Sequence, residues 1–408
     1  MKSELLNTVT IRLLSAAFSV LVLILTSRWL GPDARGQLAF AILIGTTTSG
    51  LLGLSLENSY LSFSSRMHSL DSKHKLKGFY VNQRVLFIVV VLSSYIFSSF
   101  YYKGELLIKL FVVLSSGLYF IQKTSIAAFI VDGKLISYNF KLLISKLSFL
   151  IGSCLLMVVF EPDMFSLLVV YNISLFIFFL LTFKSSYSPS EFFLTPFKLF
   201  SSQLLRESIN VHLNSLGTIL ANQVPILVLG FYASSELVSF YDVSLQLIGI
   251  PTLVVTSIVT VFYSRIANAG ISSSISYLFK VMVWLYILLI PIVFLAPFVM
   301  VDFLSIIFGS AYIPATPLVI CFLVIFLLNI PCYFASPCWV MSGKVKYIMK
   351  WNIIAGVYNV IGTYFILIYA NTEILPLLLM SSSFLLFSIN IFFLLKYRRA
   401  TNTEQLER

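Results

Sequence analysis

The stretch Ser27-Arg28-Trp29-Leu30-Gly31-Pro32-Asp33-Ala34-Arg35-Gly36-Gln37 sets two arginines and an aspartate between two long apolar segments. A Trp-Arg pair beside Gly-Pro is what an apolar helix meets where it leaves a bilayer, because Trp and Arg anchor at the interface and Gly-Pro breaks the helix. Reading outward, similar breaks recur along the whole chain. Of its 408 residues 59% are hydrophobic and 11% charged, with mean hydropathy +0.98, a balance that excludes a soluble globular domain. A helix needs roughly 20 apolar residues to cross the hydrocarbon layer, and about twelve such runs are present.

The expected spans cover residues 9 to 30, 36 to 63, 80 to 102, 106 to 131, 135 to 160 and 164 to 184, then 208 to 231, 236 to 262, 276 to 301, 314 to 340, 347 to 370 and 374 to 396. Backbone groups inside a bilayer must be paired within the segment, and the alternation of a porin-like barrel is missing, so these runs predict helices. The first run is too long for a cleavable leader and reads as the first span. The organisation expected is an N-terminal lobe over 1–184, a cytoplasmic linker over 185–207, a C-terminal lobe over 208–396 and a cytoplasmic tail over 397–408.

Lys and Arg crowd one set of alternate loops, including Arg66, Lys73, Lys75, Lys77, Lys134, Lys184, Lys198, Lys344, Lys346, Lys396 and Arg398. That set is assigned to the cytoplasm, with both termini, while the other side carries Arg28, Arg35, Lys103 and Lys109 in its first two loops and then only acids, Glu161, Asp163, Glu236, Asp302 and Glu373. A net charge of +11 spread over short loops points to anionic headgroups and topology, not to nucleic acid. Cys154, Cys321, Cys332 and Cys338 all fall within spans, so neither a disulfide framework nor a zinc site is expected. His68, His74 and His212 have no metal-ligand spacing, and no phosphate-binding GxxxxGK[ST] loop is present, so ATP hydrolysis is not expected.

The opening break has echoes. Leu30-Gly31 ends the first span as Leu229-Gly230 ends the seventh, and Asp132-Gly133-Lys134 between the fourth and fifth spans is matched by Ser342-Gly343-Lys344 in the second half. Two echoes at corresponding places predict a duplicated bundle with a substrate site between halves.

Charges within spans are costly and mark function. Arg12 shares a helical face with Ser15, Ser19 and Thr26; Lys123 with Ser116 and Tyr119; Lys146 lies one heptad from Asn139, and Lys141 is nearer the inner end of the same span. Arg28 stands at the outer boundary. Each of these cations competes with a simpler reading, a long side chain reaching for the nearer interface. Glu57 and Asp242 are acids inside spans, either a structural pair with a buried cation or a site for a coupling proton or sodium ion. Asn210, Asn214, Asn222, Gln223 and Gln246 make the second half polar but uncharged, and Pro225, Pro251, Pro291, Pro297, Pro331 and Pro337 are expected to interrupt its helices.

Arg28-Trp29-Leu30-Gly31-Pro32 with Gly36, Leu52-Gly53-Leu54, the two Gly-Lys turns, and Asn352 and Asn359 resemble Wzx-type O-antigen and polysaccharide flippases of the multidrug/oligosaccharidyl-lipid/polysaccharide (MOP) exporter superfamily. That resemblance implies an all-α polytopic membrane protein, two six-helix lobes around a central cavity. It implies a bacterial inner-membrane flippase, not an enzyme. The implied cargo is an undecaprenyl-pyrophosphate-linked oligosaccharide, moved from the cytoplasmic to the periplasmic leaflet by alternating access, without cofactor or metal. Membrane lipids, a polysaccharide polymerase and a chain-length regulator are the implied partners.

The pyrophosphate would follow Arg12, Arg28, Lys123, Lys141 and Lys146, with Glu57 or Asp242 for ion coupling and Asn139, Asn210, Asn214, Gln223 and Gln246 lining a polar cavity. Two other readings compete. An O-antigen polymerase of the Wzy kind needs a large outward loop, and no outward connection here exceeds about a dozen residues. A drug exporter of the same superfamily calls for acidic cavities to hold cationic drugs, whereas the excess here is positive.

Overall fold

A computed structural model describes residues 2–66, 72–161, 163–183, 202–369 and 372–406, and these are helical almost throughout. The helices are α1 (Lys2–Leu52), α2 (Leu56–Arg66), α3 (Ser72–Tyr101), α4 (Leu106–Val131), α5 (Leu135–Val159), α6 (Met164–Phe183), α7 (Ser202–Asn222), α8 (Val224–Tyr232), α9 (Ser235–Phe308), α10 (Thr316–Met341), α11 (Val345–Tyr369) and α12 (Leu375–Leu406). Among the described residues 11 stretches are long and apolar enough to cross a membrane. The expected spans 9 to 30 and 36 to 63 run together as Thr10–Leu61, two helices joined at Gly31 (φ 69°, ψ 176°), where the backbone leaves helical geometry; 52 residues at 1.5 Å each far exceed a hydrocarbon layer of roughly 30 Å, so the stretch is long enough for both crossings. SRWLGPDARGQ is therefore a kink and not a loop, and Arg35, placed by the sequence in an outward loop, is buried.

The chain divides into two compact units, Met1–Ile219 and Leu220–Arg408, with the division inside α7. Residues 185–201 of the linker expected over 185–207 lie outside the described residues, as do the side chains of the tail from Arg399 onward.

In the first unit lipid offers no hydrophobic drive for helices to associate, so small residues let backbones approach. Ser49 Oγ donates to the Ser116 carbonyl at 3.1 Å, a Cβ on Gly45 would meet Ser116 Oγ at 3.0 Å, and Thr48 and Ser94 share a 2.8 Å hydroxyl contact. An aromatic core forms around Tyr60, Phe79, Tyr80 and Phe120, with a second at Phe129, Tyr138 and Phe178.

In the second unit Tyr312 Oη meets Ser239 Oγ at 3.0 Å and Tyr286 Oη donates to the Leu327 carbonyl at 3.0 Å. Prolines behave differently from expectation. Pro225 opens α8 after a break at Gln223, but Pro251, Pro291 and Pro297 lie inside α9, and Pro331 and Pro337 inside α10, without ending them. Neighbouring helices and local adjustment tolerate such residues in membrane spans.

The two Gly-Lys turns take the same backbone form. Gly133 (φ 70°) and Gly343 (φ 68°) occupy the left-handed region that a Cβ makes costly. Lys134 N–H donates to the Phe129 carbonyl at 2.7 Å and Gly133 N–H to that of Ile130 at 3.0 Å; Lys344 N–H donates to Trp339 and Gly343 N–H to Val340, both at 3.1 Å. Each turn thus satisfies carbonyls that its helix end would leave open.

Candidate functional site

The first unit holds the polar cluster, and a broken helix builds it. The span expected over 36 to 63 stops at Leu52 and resumes at Leu56, with Leu54 (φ 50°) and Ser55 (φ 47°) in the left-handed region. For residues bearing a Cβ this costs roughly 1–2 kcal/mol each. Close packing enforces it: a Cβ on Gly53 would strike the Ser49 carbonyl and, at 2.9 Å, the Phe120 ring. The free backbone groups are rejoined by Gly53 N–H to Ser49, Leu56 N–H to Gly53 and Ser59 N–H to Ser55, all at 3.1 Å. The Ser55 hydroxyl is fixed by His212 Nδ1, 3.2 Å away on α7.

That break places Glu57 in the first turn of α2, where a carboxylate is favoured by the unpaired N–H groups. Its Oε1 lies 3.5 Å from Lys123 Nζ on α4, while its Oε2 is buried with no hydrogen-bond partner. Tyr119, one turn before Lys123, and Tyr138 on α5 both lie within electrostatic reach of Glu57, and Tyr138 also of Arg12; His212 is likewise within reach of Lys123. Tyr138 Oη donates to the Gln122 carbonyl at 3.1 Å. Arg12 Nε approaches Asn139 Oδ1 at 3.5 Å, and the Asn139 amide nitrogen, like that of Gln122, is buried with no hydrogen-bond partner. Arg12, Glu57, Tyr119, Gln122, Lys123, Tyr138 and Asn139 therefore form one neighbourhood with two buried donors, on Gln122 and Asn139, and one buried acceptor, on Glu57, that lack hydrogen-bond partners.

The two lysines of α5 differ. Lys141 is buried, its ammonium 4.4 Å above the Phe129 ring, so a cation–π contact takes up part of its charge. Lys146 stands one residue from the midpoint of Leu135–Val159 and is half-buried. No group among the described residues makes a hydrogen bond or ion pair with its ammonium. By the rise of 1.5 Å per residue it is about 17 Å from one helix end and about 20 Å from the other, too far for a lysine stem to reach the interface. The heptad Asn139, Lys146, Ser153 puts it on the face that meets Arg12.

The other expected residues are dispersed. Arg28 is exposed beside the kink. In the second unit Asp242 accepts from Gln246 Nε2 at 2.8 Å on the same helix, and Gln223 sits at the α7–α8 break with a buried Oε1 lacking a hydrogen-bond partner. The side chains of Asn210 and Asn214 lie outside the described residues. Asn359 Nδ2 reaches the Ala221 carbonyl at 3.5 Å. No group of three metal-ligating side chains occurs among the described residues. Ser55 and His212 were not legible as a pair, since 157 positions separate them and neither carries a motif.

No family model and no curated protein matches this sequence. Solved structures do match over nearly the whole chain. One is an inward-facing multidrug resistance MATE family transporter of the MOP superfamily, 11% identical over 95% of both chains, TM-score 0.68. Another is the lipid II flippase MurJ in an inward closed conformation, 15% identical over 97% of this chain and 90% of that one, TM-score 0.66. A third is a MOP superfamily transporter from Pyrococcus furiosus, described as having a binding pocket of reverse polarity, 12% identical over 98% and 96%, TM-score 0.56. At these identities the likeness establishes the fold: an all-helical, MATE- and MurJ-like membrane architecture.

Proposed function

We propose that this protein is a flippase that carries undecaprenyl-pyrophosphate-linked O-antigen or related polysaccharide repeat units from the cytoplasmic to the periplasmic leaflet of a bacterial inner membrane, by alternating access. The observation that carries the reading is Lys146, a half-buried cation at mid-span with no counter-ion among the described residues. A lysine at the centre of a bilayer costs about 3 kcal/mol on insertion scales, so its retention is explained by an anionic group that it meets in function. Arg12 and Lys123 lie on neighbouring helices, and the spare amides of Asn139 and Gln122 suit the many oxygens of a pyrophosphate-sugar. Arg28 and Lys141 extend the cationic path at its two ends.

Ion coupling is assigned to Glu57 or Asp242, with a proton or sodium ion as the coupling species. Asn210, Asn214, Gln223 and Gln246 complete a polar cavity in this reading, and a polymerase and chain-length regulator are its partners in the membrane. The fold alone admits a drug exporter equally, since both kinds of transporter share it. Charge favours the anionic cargo: the acid nearest the cluster, Glu57, is already facing Lys123.

The test is a deletion strain complemented with Lys146→Ala. Loss of surface polysaccharide at normal membrane abundance is expected, with partial activity for Lys146→Arg. Wild-type polysaccharide from Lys146→Ala overturns the assignment, and export of cationic dyes by the wild-type protein would favour the exporter.

A further inference from the structure

The second unit contains a cavity of about 610 Å³ that the transport reading does not use. It lies where α10 ends, α11 begins and α12 leaves its apolar stretch: the spans stop at Val340, restart at Val345 and end at Arg398. Its wall is aromatic. The Trp339 ring stacks on Phe393 at 3.4 Å and 10°, and its Nε1 donates to Asn390 Oδ1 at 2.8 Å. Tyr347 stacks on the other side at 5.5 Å, and Tyr397 packs against Phe393. Two lysines complete the lining, Lys344 and Lys396, both exposed. Lys344 Nζ is poised 5.4 Å over the Tyr397 ring. Neither lysine has an acidic partner among the described residues, and no Asp or Glu occurs within 341–351 or 388–398.

We infer that this cavity binds one anionic phospholipid, its headgroup phosphate between Lys344 and Lys396 and an acyl chain against Trp339, Tyr347 and Phe393. Depth and chemistry select that occupant. The cations stand at the ends of apolar stretches, the position that faces headgroup phosphates in a bilayer, and the wall beside them is apolar and leads to Phe392, which is 71% exposed. A soluble anion would leave the aromatic wall unused; a neutral lipid would leave the lysines unneutralised. Lys346, Lys350 and Arg398 add positive potential nearby. This site is independent of the cargo and lies wholly within the second unit.

The experiment is thermal unfolding of the purified full-length protein in detergent, titrated separately with phosphatidylglycerol, phosphatidylcholine and inorganic phosphate. Phosphatidylglycerol is expected to raise the midpoint by several degrees and to saturate, with no effect from the other two. In Lys344→Gln/Lys396→Gln the apparent affinity for phosphatidylglycerol falls about tenfold or more, while Lys346→Gln/Lys350→Gln keeps most of it. A full response in the Lys344/Lys396 variant overturns the inference. So does an equal response to phosphatidylcholine, which marks bulk lipid, or to inorganic phosphate, which marks a free-anion site.

Discussion

Lys123 on α4 and Glu57 on α2 face each other at 3.5 Å, the lysine side chain 26% exposed and the glutamate side chain 10%, at the point where the helix carrying the acid has just restarted. The charge that a mid-span lysine would present to cargo is here offset by an acid 66 positions away in sequence. Lys146 has no such offset among the described residues, and the two lysines should respond differently to removal.

Breaking the pair leaves one partly buried charge unmatched. Glu57→Gln should lower stability by about 1–2 kcal/mol, below the 3–5 typical of fully buried pairs because Lys123 keeps some solvent. Glu57→Gln/Lys123→Gln should recover most of the loss. A double-mutant cycle by thermal unfolding measures the coupling, and additive single effects would show that the two groups act separately.

Lys146→Ala removes a cation that no group among the described residues compensates. Its unfolding midpoint should equal or exceed wild type even as transport is lost, whereas Lys123→Ala should lose both. A large drop in midpoint for Lys146→Ala would reveal a structural role.

The break at 53–55 depends on fit. Gly53→Ala should cost about 1–3 kcal/mol, since the added methyl meets Phe120 and the Ser49 backbone. Phe120→Leu should restore part of it, as the ring is the movable obstacle. Absence of rescue would place the strain in the backbone contact alone.

Ser55 and His212 share one hydrogen bond. Ser55→Ala and His212→Ala should each cost about 1 kcal/mol, and the double variant little more than one of them. Fully additive losses would mean that the two side chains work independently.

Much of the fold was legible because each span must satisfy its own backbone, so length and hydropathy suffice to find it. The Gly133 and Gly343 turns were legible for the same local reason: a helix end followed by Gly-Lys has few alternatives. The broken helix was not legible. Leu54 is not a turn former, a lone Ser is too common to mark a break, and the backbone here is held by contacts with the Phe120 ring and His212, which come from distant segments. The kink at Gly31 lay in the quoted break, yet sequence could not tell a one-residue bend from a loop, and so it placed Arg35 outside. Lys146 was singled out by its mid-span position alone, and the pairing of Glu57 with Lys123 was foreseen only as a possibility open to any buried acid.

The turns at Gly133 and Gly343 bear on how this chain is made. Every hydrogen bond that closes them comes from the last few residues of the helix before, so α4 with α5, and α10 with α11, can fold back as soon as both have left the ribosome. Each turn can therefore set the direction of the next span before that span's later packing partners, α6 for α5 and α12 for α11, have been made.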